Sequence, residues 1–238
     1  MRVRRQDPIC LVPPICVILR PSAAHERSRI PVSCGVDAGE AASSQHLIED
    51  SVDMVKRNLH PGARWSIFGH SMGAMVAYEV ARLLSREQSR PQLLAVFLSG
   101  RRPPGDSPVS RLSSLDDKSL MQAAATWGGI PPEFLAHPHL QPLIAGKLRA
   151  DLALGEHPDL DLPPLACPIR ILSGTNDPLV DISQLPRWCE ATTEPVAIHL
   201  YDGDHFDFRR VISRVVGVIR ETLVAASVER DEIAAIRA

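Results

Sequence analysis

Apolar positions along this chain arrive in two rhythms. In "PQLLAVFLSG" (91–100) and "CPIRILSG" (167–174) they run almost unbroken up to a glycine. Short continuous runs of this kind fit strands covered on both faces, as the strands of parallel sheets are. Between Leu47 and Leu59 the rhythm changes: Leu47, Ile48, Val52, Val55 and Leu59 recur at helical spacing with Asp and Glu between them, and His60-Pro61-Gly62 stops the segment. The pattern then predicts a strand at Arg64–Phe68, a helix to about Gln88, a short helix over 182–190, a strand in "VAIHLYDG" and an amphipathic closing helix from Arg209 to about Val228. Near the start it predicts short strands at Ile9–Val12 and Cys16–Leu19, whereas residues 21–45 carry little periodicity of either kind. Strands alternating with helices imply a mostly parallel α/β sheet flanked by helices.

One block departs from the alternation. Residues 111–160 read as short helical pieces, Leu115–Thr126, Glu133–Leu135 and Leu140–Leu154, separated by "WGGIPP" and "HPHLQP". Interposed between two strands, this block is expected to sit as a helical lid over the strand carboxyl ends.

Length and composition change the picture little. The 238 residues, 45% hydrophobic and 23% charged, suit one α/β domain across the whole chain. A net charge of −2 gives no reason to expect nucleic acid or an anionic membrane as partner. No run approaches the ~18 apolar residues of a membrane span. The basic start "MRVRRQDPICLVPPICVILRPSAA" is interrupted by Asp7, Pro8, Pro13 and Pro14, so it reads as a strand rather than a secretory leader. Cys10, Cys16, Cys34, Cys167 and Cys189 show no Cys-x-x-Cys pair and no zinc-like spacing with histidine. That usage fits a reduced, cytoplasmic protein, with Cys10, Cys16 and Cys167 read as buried strand cysteines and no metal or cofactor of its own implied.

The chemistry gathers at "WSIFGHSMGAMVAYEVARLL", Trp65 to Leu84, where Gly69-His70-Ser71-Met72-Gly73 joins a strand to a helix. Gly-x-Ser-x-Gly in that setting forms a turn so sharp that side chains at the glycines would collide. The serine hydroxyl is exposed at a strand carboxyl end, where open parallel sheets bind ligands. Ser71 is thus a candidate nucleophile, and the Met72 N–H a donor to a developing oxyanion. A phosphate loop would need a lysine that this turn lacks.

Serine needs a base, and the base needs an orienting acid. His25, His46 and His60 precede the turn; His70 adjoins the serine but points away from it; His137, His139 and His157 lie in the lid; His199 lies within a strand pattern. His205, in "YDGDHFDF", follows a strand at its carboxyl end, where a base belongs. The acid is expected on the loop after the preceding strand, and "ILSGTNDPLVD" puts Asp177 there, with Asp181 positioned to cap the next helix. Asp202, Asp204 and Asp207 compete but lie too near His205 in sequence to reach behind its ring. The order Ser71, Asp177, His205 is that of an α/β-hydrolase triad.

Residues 64–208 resemble the type II thioesterases that accompany modular polyketide and non-ribosomal peptide synthetases. "FGHSMGAMVAYEVARLL", "FLSGRRPPG", "GGIPPEFLAHPHL", "LRADLAL", "CPIRILSGTNDPLV" and "YDGDHFDF" occur in the family's order. The resemblance implies an α/β-hydrolase fold and hydrolysis of acyl thioesters from the phosphopantetheine arms of acyl or peptidyl carrier proteins, which edits stalled or misloaded chains. It implies the same roles for Ser71, His205 and Asp177, a monomer, and no cofactor beyond the arm that arrives on the partner. The lid would shape the acyl pocket, with Met121, Trp127, Phe134 and Leu148 as lining candidates for which an ordinary core role is equally open.

The likeness lapses over about 14–45. Val12-Pro13 matches the start of the family's oxyanion loop, which places the second donor at Pro14, but Pro14-Ile15-Cys16-Val17 has no glycine and no Tyr-Pro-Gly-Arg segment follows. The stretch reads as short by about a strand, and the likeness returns at "HLIEDSVDMV". Two alternatives stay open on this evidence: an impaired or non-catalytic thioesterase remnant, and a small-molecule carboxylesterase or acyltransferase of the same fold.

Overall fold

The computed structural model describes residues 15–19, 29–33, 44–60, 63–87, 92–105, 111–127, 130, 137, 139–156, 163–207 and 210–237. Strands β1 (Ile15–Leu19), β2 (Arg29–Ser33), β3 (Arg64–His70), β4 (Gln92–Ser99), β5 (Ile169–Gly174) and β6 (Val196–Tyr201) form a sheet in the order β2-β1-β3-β4-β5-β6. From β3 to β6 every pairing is parallel. β1 runs antiparallel to both β2 and β3, so an antiparallel pair closes one edge.

The apolar runs of β3, β4 and β5 are continuous because both faces of the sheet are covered. Trp65, Ile67, Val96, Leu98, Ile169 and Ile171 pack with helices α1 (Ser44–Asn58) and α2 (Met72–Leu84) on one side. The alternate residues Phe68, Ala95, Phe97 and Leu172 meet Val215 and Val218 of the closing helix on the other. Successive side chains point to opposite faces of a strand, and here each face has its own core. Helix α2 lies between sheet, α1 and lid, and every one of its residues but Leu83 is buried.

Between β4 and β5 come a short 3-10 turn (Leu112–Ser114) and helices α3 (Asp117–Thr126) and α4 (Gln141–Gly155). They enclose a separate apolar core of Leu120, Met121, Ala124, Trp127, Ile130, Ile144 and Ala145. This is the expected helical insertion, and its Asp116 caps α3 by accepting from the Ser119 N–H at 3.0 Å. The Glu133–Leu135 piece lies outside the described residues.

Elsewhere the structure adjusts the expected boundaries. Helix α2 ends at Leu84, and the closing helix α5 runs Ile212–Arg237, beyond Val228. The 182–190 helix is a 3-10 helix, Ile182–Ala191, capped by Asp181 as expected and carrying Pro186 within it. The strand expected at Ile9–Val12 lies outside the described residues, whereas that at Cys16–Leu19 is β1. Strand β2 falls in the stretch read as aperiodic. Its Pro31 is tolerated because β2 is an edge strand, paired with β1 alone. Cys167 is buried as expected, in the approach to β5 rather than within it, and Cys189 is exposed. No helix among the described residues is long and apolar enough to cross a membrane.

Candidate active site

At the carboxyl end of β3 the backbone turns directly into α2. Ser71 sits at the corner with φ 54° and ψ −118°, the one non-glycine positive φ among the described residues. A bulky-backbone penalty of this kind persists only where the surroundings over-determine it. Here the Ser71 N–H donates to the Ser99 carbonyl (2.8 Å), which carries the β3–β4 ladder one residue into the turn, and the Ser71 carbonyl accepts from Ala74 (3.0 Å), which starts the helix. Gly69 is required because a Cβ there would run into the Gly73 carbonyl oxygen and come within 2.7 Å of Ala74 Cα. Met72, the residue after the serine, opens α2. The first amides of a helix have no intrahelical acceptor and carry its positive dipole end, so the Met72 N–H suits a developing oxyanion.

The loops after β5 and β6 are bound to each other. Thr175 N–H donates to the Tyr201 carbonyl (2.9 Å), Asn176 N–H to the Gly203 carbonyl (3.0 Å), and the Asn176 side-chain amide to Asp202 (3.1 Å). Asp204 Oδ1 accepts from the N–H groups of Phe206 (2.9 Å) and Asp207 (3.2 Å), and Asp207 returns by accepting from Asp204 N–H (3.2 Å). The carboxylates beside His205 therefore hold its loop and do not touch its ring.

The ring is held by Asp177. His205 Nδ1 lies 2.7 Å from Asp177 Oδ2, and His205 Nε2 lies 2.9 Å from Ser71 Oγ. The other Asp177 oxygen accepts from the Leu179 N–H at 2.9 Å. Both side chains of the His–Asp pair are about 2% exposed or less. An ionised carboxylate can only accept, so Nδ1 carries the proton and Nε2 is left with its lone pair toward the serine hydroxyl. The three residues that sequence reasoning singled out are thereby brought into one hydrogen-bonded chain.

The remaining candidates fare differently. Met121 and Trp127 lie in the lid's own core, 2% and 6% exposed, and Leu148 packs against that core. Pro14 and Phe134 lie outside the described residues. As a donor Pro14 is also chemically unsuited, since proline has no backbone N–H. His199 is half-buried on β6 rather than a plain surface residue, and burial with Arg170 and Arg214 nearby lowers its pKa.

The structure puts at the site two further residues, His70, which sequence reading passed over as a base, and Phe206, which it did not consider. The His70 ring centroid is 4.9 Å from that of His205. Phe206 meets the His205 ring edge-on at 4.8 Å and belongs to the apolar cluster of the lid. The available signal was their adjacency in sequence to Ser71 and His205, which says nothing of direction across a sheet.

Against known proteins, residues 28–223 match the Thioesterase domain family. Thioesterase PikA5 of Streptomyces venezuelae is 32% identical over 145 residues, covering 60% of this chain and 51% of its own length. The gramicidin S biosynthesis protein GrsT of Aneurinibacillus migulanus is 29% identical over 81% of this chain and 71% of that protein. The chain thus spans only about half of the first relative's length. Among solved structures, YbtT, a type II thioesterase from the yersiniabactin NRPS/PKS pathway, superposes with a TM-score of 0.67 at 28% identity over 77% of this chain and 75% of its own. The four parallel strands and their flanking helices form the sheet of an α/β-hydrolase, and the chain belongs to the thioesterase domain family.

Proposed function

We propose that this protein is a serine thioesterase that removes acyl groups from the phosphopantetheine arms of carrier proteins in polyketide or non-ribosomal peptide assembly, clearing stalled or misloaded chains. The observation that carries the proposal is the buried relay from Asp177 through His205 to Ser71 on a strained elbow. The likeness to GrsT, a gramicidin S biosynthesis protein, and to YbtT, a type II thioesterase of an NRPS/PKS pathway, supports the choice of substrate class.

In this reading Ser71 Oγ attacks the thioester carbonyl while His205 Nε2 takes its proton. Negative charge develops on the carbonyl oxygen, and the Met72 N–H at the start of α2 stabilises it. The tetrahedral intermediate collapses by expelling the pantetheine thiol, which receives the proton from His205. Water, deprotonated by the same nitrogen, then attacks the acyl-Ser71 ester and releases the acid. Asp177 stays ionised throughout and stabilises the imidazolium formed in each half-reaction. No metal or organic cofactor is called for in this sequence. The acyl chain and the carrier would meet the protein at the lid, a helical insertion with its own core.

The test is hydrolysis of a short acyl-carrier-protein thioester by purified protein, with Ser71→Ala in parallel. Loss of roughly 10⁴-fold or more in the variant is the expected result for a triad nucleophile. Equal rates in the two proteins, or release from simple oxygen esters with no preference for the carrier thioester, would overturn the reading.

A further inference from the structure

His70 is 2% exposed at the last position of β3. The β3–β4 register sets it beside Ser99, whose side chain is fully buried, and His70 Nδ1 lies 3.0 Å from Ser99 Oγ. That bond ties the His70 ring to β4. The ring then lies against His205, with centroids 4.9 Å apart and planes tilted by 43°. The next residue of β4's exit, Gly100, has φ +60°, and a Cβ on it would stand 2.8 Å from His70 Cε1 and 3.1 Å from His205 Cε1. Backbone without a side chain is therefore what lets both imidazoles settle edge-down over one residue. Phe206 completes the enclosure, 4.8 Å from His205 and 5.9 Å from His70 by ring centroids.

We propose that His70, locked by Ser99, is a positioning residue that holds the His205 ring in its working plane when Ser71 no longer can. The proposal rests on the triad reading above. In the resting site His205 has a hydrogen bond at each nitrogen. Once Ser71 Oγ carries the acyl group, it has no proton to share, and the bond at Nε2 is gone. Asp177 alone then ties the ring, at one end, while Nε2 must still aim at a water for the second half-reaction. A packed wall keeps the ring from swinging, and a small misplacement of a catalytic group is costly: about 1 Å can mean 10²-fold in rate. His70 supplies that wall without touching substrate.

The test uses carrier-thioester kinetics on the full chain for His70→Ala, His70→Phe, Ser99→Ala and the double variant His70→Phe/Ser99→Ala, with intact-mass detection of acylated protein. For His70→Ala the expected result is a fall in kcat of about ten-fold or more, a KM that does not rise, and accumulation of acyl-Ser71 enzyme. His70→Phe, which restores a planar ring, recovers most of that loss. Ser99→Ala lowers kcat in the His70 background and costs clearly less in the His70→Phe background, where its bond to the histidine is already gone.

A His70→Ala kcat within two-fold of wild type would overturn the proposal, as would a Ser99→Ala cost that is the same in both backgrounds. Should His70→Ala fail to fold, the Phe and double-variant arms decide alone. Labelling of Ser71 by a fluorophosphonate separates the two readings. A wild type that labels but cleaves no carrier thioester loses its proposed substrate, while the rates at which the four variants hydrolyse the acyl-Ser71 enzyme formed from an activated phenyl ester, followed by intact mass, still test His70.

Discussion

Asp177 and His205 are 28 residues apart along the chain and 2.7 Å apart between Oδ2 and Nδ1. The carboxylate's second oxygen is already committed to the Leu179 N–H. Neither group can turn to another partner, so the pair sets the tautomer of the base. Asp177→Asn keeps the shape but offers Nδ1 an N–H donor, which drives the proton onto Nε2 and leaves nothing to accept from Ser71. The expected outcome is a loss of about 10³–10⁴-fold in kcat with a folded protein. Steady-state hydrolysis beside a circular dichroism spectrum checks it, and a loss of less than ten-fold would remove Asp177 from the mechanism.

The elbow makes a stability prediction that separates two glycines. At Gly69 a Cβ meets the Gly73 carbonyl, which is backbone and cannot move aside without unwinding the start of α2. At Gly105 the φ is +74° but nothing stands within 4 Å of the added carbon. Gly105→Ala should cost only the left-handed strain, about 1–2 kcal/mol. Gly69→Ala should cost several times more, a large part of the ~5–15 kcal/mol that holds a domain together. Thermal melts of the two variants measure the difference, and equal melting temperatures would contradict the steric account.

These contrasts show which features were legible in the chain. Ser71, Asp177 and His205 each sit on a short loop at a strand end, and each loop announces itself locally by Gly, Pro or Asp spacing. His70 carried no such signal. Its role depends on the β3–β4 register that sets it against Ser99 and on the missing side chain of Gly100 next door, and both are relationships across strands. Strand β2 was within reach: Ile30 and Val32 alternate with Arg29, Pro31 and Ser33. Five residues with a central proline is weak evidence against a loop, and antiparallel pairing with β1 decided it. Met121 and Trp127 were ambiguous because apolar residues at helical spacing look the same whether they line a pocket or fill a core. The lid proved large enough to have a core of its own.

Helix α2 holds a buried ion pair with different consequences from those at the surface. Arg82 Nη1 reaches both oxygens of Glu79 at 3.0 and 3.3 Å, its Nε donates to the Pro163 carbonyl at 3.4 Å, and its guanidinium lies 5.1 Å from the Tyr78 ring centroid. Arg82→Ala would leave the Glu79 carboxylate, 1% exposed, without this cation. Such removals typically cost about 3–5 kcal/mol. Lys56 and Glu87, each 45% exposed, form the control: Lys56→Ala should cost no more than about 1 kcal/mol. Urea denaturation of both variants tests the ranking, and a reversed order would show that α2 tolerates the loss of this ion pair.

The alkaline limb of stability should be set in part by Cys167. Burial pushes its thiol from the ordinary 9.0 up to about 12, with Arg170 pulling the other way. Burial likewise pushes the Tyr201 phenol from 10.0 up to about 12. In the unfolded chain both groups lose their protons near their ordinary values, whereas in the folded protein they keep them. Between about pH 9 and 12 the folded state therefore binds more protons than the unfolded one, and stability must fall as pH rises. The contribution is fully present below the unfolded values and is exhausted once the folded values are passed. For one such group the slope is at most about 1.4 kcal/mol per pH unit. Cys167→Ala removes that group, so its unfolding free energy should decline less steeply than that of the wild type across this window, whatever offset the smaller side chain introduces. Tyr201→Phe should flatten the upper part of the same curve, from about pH 10. Urea midpoints taken at half-unit intervals of pH give both slopes. Parallel curves for wild type and Cys167→Ala would mean that the thiol ionises in the folded protein as it does in the unfolded chain, which its burial in the core beneath α1 and α2 argues against.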